Sequence, residues 1–274
     1  MKITIYICPV CGQALREEDR RAVCPAGHSF DRAKEGYINL LLSGHGGTHG
    51  DNRRMVLCRR AFLDGGYYDM LADAVCREVV RYMPDGGVLL DGGAGECFYT
   101  DRMERALSAA GRTADVYAFD ISKEAVRYAA GRNRRLRLFV AGAYHMPVRT
   151  GSVDVAVNMF APLATEEILR VLKPGGIFLM AIPEREHLFG LKKVLYETPY
   201  YNTVADSRLP GFSLLSSEEI RRDVTLRGHD VIENLFGMTP YAYRTSAEGC
   251  ARVAALTEVT TTLHFRLFVY RKNV

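Results

Sequence analysis

Nowhere in its 274 residues does the chain have an apolar run long enough to cross a bilayer. Its opening, MKITIYICPV, has no basic segment leading into a long apolar core and a small-residue cleavage site. Neither a membrane span nor a secretory signal is expected, and a cytoplasmic location is. Cysteines are few and odd in number, seven, with Cys58, Cys76 and Cys97 scattered through helical or turn contexts. That excludes an obvious disulfide framework, and reduced thiols are expected. Charge of one sign is also scarce, the formal net charge being +4. The whole excess lies in the first 60 residues, which suggests an anionic partner met first by the N-terminal end, although a solvated surface accounts for the charge alone as well. The composition is that of an ordinary globular chain, 48% hydrophobic and 25% charged. The length suits one sizeable domain with an appendage.

The cysteines that are not scattered form a pattern. Cys8 and Cys11 are separated by two residues, twelve follow before Cys24, and three more lead to His28. Two knuckle-like turns, Cys-Pro-Val-Cys-Gly and Cys-Pro-Ala-Gly-His, bring four soft or borderline ligands together, the set that tetrahedral zinc takes. Buried structural thiols with an incidental histidine would not repeat the turn chemistry. With no spare ligand position the site reads as structural. A module of roughly 40 residues is at the size limit for folding without a metal, disulfides or a partner, and zinc worth on the order of 10 kcal/mol supplies that stability.

Tyr37 to Leu42 is apolar and strand-like. Ser43 to Asp51 is Gly/His-rich without periodicity and reads as a mobile linker or an RNA-facing loop, with His45 and His49 as solvated residues rather than a second metal site. A helix is expected through Asn52 to Leu63, carrying Arg53, Arg54, Arg59 and Arg60. A second, after Gly65-Gly66, shows Tyr68, Leu71, Ala72, Val75, Cys76, Val79, Val80 and Met83 at three- and four-residue spacing, which makes one apolar face.

Beyond it the chain alternates between strand and helix. Val88-Leu89-Leu90 ends in Asp91 and breaks into glycines at Gly92, Gly93 and Gly95, which reads as strand, tight turn, and a helix near 98 to 110. Val116 to Asp120 is a second strand, and Ser122 can cap the helix after it. Leu136 to Ala141, Val153 to Met159 and Ile177 to Ile182 follow, with Thr165 capping a short helix through Leu172 and Pro174-Gly175-Gly176 making a turn. Val224 to Arg227 and Thr260 to Tyr270 are late strands. This rhythm predicts an α/β fold with a parallel sheet and helices on both faces. In such a sheet a nucleotide-like ligand lies beyond the carboxyl ends of the strands, where glycines let the backbone approach it. Asp120, 29 positions after Asp91, is placed to accept hydrogen bonds from both ribose hydroxyls of an adenosine ligand; the bland alternative is an acid that merely precedes a helix.

Dehydrogenases carry their glycines as G-x-G-x-x-G, whereas Asp91-Gly92-Gly93-Ala94-Gly95 puts an acid directly ahead of them. Together with Leu172-Lys173-Pro174-Gly175-Gly176, this resembles the class I S-adenosylmethionine-dependent methyltransferases, whose Rossmann-like sheet adds a final antiparallel strand that the Thr260 to Tyr270 run would supply. The knuckle, the run from Phe30 to Leu41, Arg59 to Asp64, Pro183 to His187 and Met238-Thr239-Pro240 resemble, in the same order, segments of the RlmA family, bacterial 23S rRNA guanine-N1 methyltransferases. The resemblance covers essentially the full chain. It implies zinc at Cys8, Cys11, Cys24 and His28, and S-adenosylmethionine beside Tyr68, Gly95, Glu96, Asp120 and His187, with Asp91 and Gly93 completing the glycine turn. Tyr68 and His187 rest on the resemblance alone, since a tyrosine at a helix start is usually core and a histidine after a strand usually surface.

The domains expected are a zinc-binding module at 1–43, a linker and basic helix at 44–66, and a methyltransferase domain at 67–274. Two positions depart from the family pattern. Cys97 stands where the turn ordinarily ends in glycine, which is harmless to the cofactor if position 97 is already helical and its side chain points away. Gly142 stands where many class I enzymes place an acid that reads adenine, leaving that role to backbone groups. Asn158 and Phe160, at the end of the fourth strand, resemble the target-side loop and are candidates to hydrogen-bond and stack on a flipped guanine, or else serve as a turn cap and strand-end packing. The sequence names no general base. An RNA methyltransferase acting on a 23S rRNA hairpin accounts for knuckle, basic end and glycine turn together; a small-molecule methyltransferase leaves the knuckle idle, and a non-catalytic zinc-containing RNA-binding protein makes Asp91 and Asp120 accidents. The modified guanine and the oligomeric state, a homodimer included, are left open.

Overall fold

The computed structural model describes residues 4–42, 50–204 and 206–274. The stretch 43–49, with His45 and His49, lies outside the described residues. At the N-terminal end, β1 (Arg16–Glu17) and β2 (Arg21–Val23), between the two knuckles, and β3 (Ser29–Asp31), after the second, form a small antiparallel sheet. Then come β4 (Ile38–Asn39), α1 (Arg53–Asp64), α2 (Asp69–Tyr82), β5 (Gly87–Gly92), α3 (Phe98–Ala109), β6 (Ala114–Asp120), α4 (Lys123–Ala130), β7 (Arg137–Val140), β8 (Val153–Met159), α5 (Thr165–Val171), β9 (Leu172–Pro183), α6 (Phe189–Leu195), β10 (Phe212–Arg227), α7 (His229–Gly237), α8 (Ala247–Ala254) and β11 (Glu258–Lys272). No helix among the described residues is long and apolar enough to cross a membrane.

The main sheet runs β10-β11-β9-β8-β5-β6-β7-β4. β11 is antiparallel to both its neighbours, and the pairs from β9 across to β4 are parallel. The α/β fold and the final antiparallel strand are thus as expected. From β5 the chain winds outward through β6 to β7, then returns to the other side of β5 as β8. Where the winding reverses, the carboxyl ends of two adjacent strands separate, and the loops leaving them open a crevice. The loop after β5 is the glycine turn and the loop after β8 holds Phe160.

Central strands show why apolar runs marked them. β5, β6 and β8 have no exposed residue, as parallel strands covered on both faces must. α2 lays Leu71, Ala72, Val75 and Val79 into the core on one side of the sheet, each Leu or Val worth about 1.5–3 kcal/mol of burial. β10 is far longer than the Val224 to Arg227 expected. It is an edge strand with most of its side chains exposed, so Ser216 to Glu219 carry none of the apolar alternation that betrays a half-buried strand.

The N-terminal end is tied into this body. β4 extends the sheet beside β7, pairing Ile38 with Phe139 and Asn39 with Val140. Tyr6 bridges Val148, and its ring meets those of Tyr117 and Phe139 edge-on at 5.4 and 5.2 Å. Ile5, Tyr6, Cys8, Leu15, Ala22 and Cys24 share one buried cluster with Tyr117, Phe119 and Phe139.

Candidate cofactor and target-base site

The two knuckles close on each other. Gly12 and Gly27 both have positive φ, 74° and 87°, which lets each turn double back: the Gly12 amide donates to the Cys8 carbonyl at 2.8 Å, and the Gly27 amide to that of Cys24 at 3.0 Å. The ligand atoms of Cys8, Cys11, Cys24 and His28 lie within 4.8 Å of one another. Cys11 and Cys24 sulfurs are 3.7 Å apart, and His28 Nδ1 is 3.5 Å from the sulfur of Cys8 and 3.3 Å from that of Cys24. Zinc–sulfur bonds of about 2.3 Å require edges of about 3.8 Å in a tetrahedron, so the donor set fits zinc in spacing as well as chemistry.

A cavity of about 1100 Å³ opens over the crevice of the sheet. Asp91, Gly93, Gly95 and Glu96 of the glycine turn line it, as do Asp120, Tyr68, Phe160 and His187. Residues of the first knuckle, Ile7 to Pro9 and Gly12, stand on its wall beside the segment from Ala143 to Pro147, to which the Ile7 amide is bonded at 3.0 Å through the Pro147 carbonyl.

Each feature of the turn has a local cause. A methyl group on Gly93, whose φ is 72°, would collide with Cβ of Ala161, so glycine is what lets the β5 and β8 loops meet. Asp91 is buried; one oxygen accepts from the Thr100 hydroxyl at 2.6 Å and the other has no partner. Burial lifts its carboxyl to about 7. Glu96 is lifted to about 7, again by burial and against the pull of Arg132, which holds one oxygen while the other is unpartnered. The buried Tyr99 hydroxyl, also in the cavity wall, lacks a partner too. Asp120 accepts the Gly95 amide on one oxygen and the Ser122 amide on the other, both at 2.8 Å. Ser122 caps α4 as expected, accepting from the Ala125 amide.

Cys97 is not yet helical. It stands just ahead of α3 with φ 63° and ψ 35°, the left-handed conformation that glycine adopts freely, and its side chain is buried in the core. The backbone therefore takes the path a glycine would take, with the thiol turned inward.

Tyr68 and His187 do come together, although neither was legible from its own chemistry. The Tyr68 hydroxyl is 3.3 Å from His187 Nε2, and Nδ1 of the same ring accepts the His264 amide at 3.2 Å. An acceptor Nδ1 puts the proton on Nε2, which donates to the tyrosine and leaves the phenolic proton to other acceptors. Burial holds His187 down to about 3, so the ring is neutral.

Phe160 has φ 63° and is 40% exposed at the cavity, 5.5 Å from the Phe265 ring. Asn158 takes the turn-cap alternative. It is absent from the lining of this cavity, and its amide ties the loop instead, donating to the Pro162 carbonyl at 3.2 Å and accepting from the Ala161 amide at 3.1 Å. Those bonds hold Phe160 in its left-handed turn. The basic helix α1 also differs from a bare phosphate-binding face: Arg53 reaches the Tyr128 hydroxyl, Arg54 pairs with Glu233, Arg60 with Asp64, and Arg59 turns inward to Asp51. Arg59, which the sequence placed only on a basic helix with three other arginines, lines the cavity.

Comparison with known proteins fixes the family. Residues 6–45 match the zinc-ribbon model described as RlmA, N-terminal, and residues 90–180 match a methyltransferase domain. A Micromonospora griseorubida protein provisionally named 23S rRNA (guanine-N(1)-)-methyltransferase is 39% identical over 96% of this chain and 96% of its own. The chain belongs to the RlmA family. A second relative, the 23S rRNA (guanine(748)-N(1))-methyltransferase of Streptomyces fradiae, is 32% identical over 94% of each chain. The Cys/His cluster is a structural zinc site and the chain is an S-adenosylmethionine-dependent methyltransferase. The unpartnered oxygens of Asp91 and Glu96 are acceptors that the ammonium and hydroxyl donors of such a cofactor can satisfy.

Proposed function

We propose that the chain transfers a methyl group from S-adenosylmethionine to N1 of a guanine in a 23S rRNA hairpin, with Phe160 beside the target base and the zinc module contributing to RNA recognition. The observation that carries this reading is that the glycine turn, Asp120, the Phe160 loop and the first knuckle all border one cavity. When bound, the cofactor supplies an electrophilic methyl on a positively charged sulfur, a leaving group that needs no acid.

The work left to the chain is positioning. Each oxygen of Asp120 already accepts one amide and keeps a lone pair for a ribose hydroxyl. Asp91 and Glu96 line the cavity, and each has one buried oxygen without a partner as an acceptor for an ammonium group. Tyr68, braced by neutral His187, presents a donor hydroxyl. Gly142 has no side chain, so adenine is met by backbone groups there. Phe160 offers an exposed ring face on which a base can stack. Guanine N1 is hidden in a Watson–Crick pair, so the target lies in a loop or is extruded. A zinc-binding module, a linker with the α1 helix, and a methyltransferase domain share these tasks in a cytoplasmic protein, and either one or two copies per hairpin satisfy the reading.

The test is incubation of the zinc-loaded chain with S-adenosylmethionine carrying a labelled methyl and a 23S rRNA hairpin transcript, followed by nucleoside digestion. Label is expected in N1-methylguanosine. Label in another nucleoside would refute the assignment of the target atom, and no transfer to the hairpin while cofactor still binds would refute the assignment of the substrate.

A further inference from the structure

The inward turn of Arg59 gives the cavity a cation that is not among the cofactor residues the resemblance implies. We propose that Arg59 holds the carboxylate at the methionine end of S-adenosylmethionine. This rests on the cofactor reading above and names one more residue of that site.

Position comes first. A Cβ placed on Gly95 would stand 3.8 Å from a terminal nitrogen of Arg59, so the guanidinium lies directly over the glycine turn. It is in the electrostatic reach of Asp120, Glu96, Tyr99 and Tyr68. Its stem runs back to the second turn of α1, which is anchored by Asn52 capping the Met55 amide at 3.1 Å.

Charge makes the assignment. Asp91, Glu96 and Asp120 crowd this end of the cavity, which suits the ammonium and sulfonium of the cofactor and repels its carboxylate. A carboxylate settles there only beside a cation. Among the described residues lining the cavity the lysines and arginines are Arg59 and Arg170. Arg170 is committed, bonded to both oxygens of Glu167, to the carbonyls of Val148 and Met146, and to the Thr150 hydroxyl. His187 is neutral. Arg59 donates to the Met238 carbonyl at 3.0 Å and pairs with Asp51, and a guanidinium has five N–H donors, so the fork has donors left for a carboxylate.

The test compares two ligands by calorimetry: S-adenosylhomocysteine, and its decarboxylated analogue S-adenosyl-3-thiopropylamine, which keeps the nucleoside, sulfur and amine. Wild type is expected to prefer the carboxylate-bearing ligand. Arg59→Met should weaken S-adenosylhomocysteine by about 10- to 100-fold, the range of a charge-assisted pair, and the analogue by about twofold or less. Binding of the analogue reports that the variant is folded. Arg59→Lys, which keeps charge and loses the fork, should show a smaller loss confined to the same ligand, and carries the test should Arg59→Met not fold. Equal loss of both ligands, or of neither, would overturn the assignment. Failure of wild type to bind either ligand would instead overturn the cofactor reading on which it rests.

Discussion

The Tyr68 hydroxyl and His187 Nε2 stand 3.3 Å apart at the cavity wall, with the other ring nitrogen fixed by the His264 amide. Tyr68→Phe would leave a buried N–H without its acceptor, at a cost of about 1–3 kcal/mol of stability. It should also weaken S-adenosylhomocysteine binding, by up to about tenfold for one neutral hydrogen bond. Denaturant melts and calorimetry on the variant measure the two effects separately. A fully stable variant with wild-type affinity would mean that the pair is simple core packing.

The raised carboxyls of Asp91 and Glu96 give cofactor affinity a pH dependence. Both sit at about 7 in the folded chain against ordinary values of 3.8 and 4.5, so they are largely protonated on the acid side of neutrality. Their contribution to stability is fully present below the unfolded values and is lost as pH rises through about 7. A cofactor ammonium favours the ionised forms. Affinity should therefore rise between about pH 6 and 8, with protons released on binding, and Asp91→Asn should flatten part of that rise. Titrations in buffers of different ionisation enthalpy count those protons, and a pH-independent affinity with no proton release would contradict the site.

Gly93 tests how closely the two crevice loops must meet. Gly93→Ala forces alanine to a φ of 72°, about 1–2 kcal/mol, and drives its methyl into Ala161, about 1–3 kcal/mol more. Adding Ala161→Gly should recover the second cost and leave the first. If the double variant melts no higher than Gly93→Ala alone, the contact is not what restricts the position.

Cys97 gives a comparison in which the larger truncation does less harm. Cys97→Ala keeps the left-handed strain and loses the buried sulfur, whereas Cys97→Gly loses slightly more packing and relieves about 1–2 kcal/mol of strain. The glycine variant should be the more stable of the two in urea melts. The reverse order would place the cost of this position in packing.

Legibility followed how directly a residue type expresses its surroundings. Cys8, Cys11, Cys24 and His28 were readable because metal ligands must come at turn spacing, and β5, β6 and β8 because a strand buried on both faces must be apolar. The place of Asp120 beside the glycine turn was readable from its position at the end of the second strand. β10 was hidden because an edge strand can be polar throughout. β4 was readable as a strand within Tyr37 to Leu42, but its place in the main sheet was hidden because its partner in β7 lies a hundred positions away. The place of Arg59 was not legible because a helix periodicity gives a face, not what the face meets; only α1 packing over the crevice shows that this arginine lines the cavity while Arg54 pairs with Glu233.

The docking of the N-terminal module alters what zinc loss should do. Cys24→Ser should abolish stoichiometric zinc in metal analysis. Because Cys8 and Cys24 share a core with Tyr6, Tyr117 and Phe139, it should also lower the melting temperature of the main sheet rather than unfold the module alone. A variant without zinc whose sheet melts as wild type would show the module to be energetically separate.

The central claim, methyl transfer to N1 of a guanine by the crevice over the glycine turn, is tested most directly by primer extension on a 23S rRNA hairpin treated with the chain and S-adenosylmethionine, in parallel with Asp120→Ala. A methyl on N1 occupies the pairing edge and stops the polymerase. A stop at one guanine, dependent on cofactor and restored in Asp120→Ala only at higher cofactor concentration, is the predicted result. Read-through at every guanine with wild-type protein, or an Asp120→Ala variant with unchanged cofactor dependence, would contradict it.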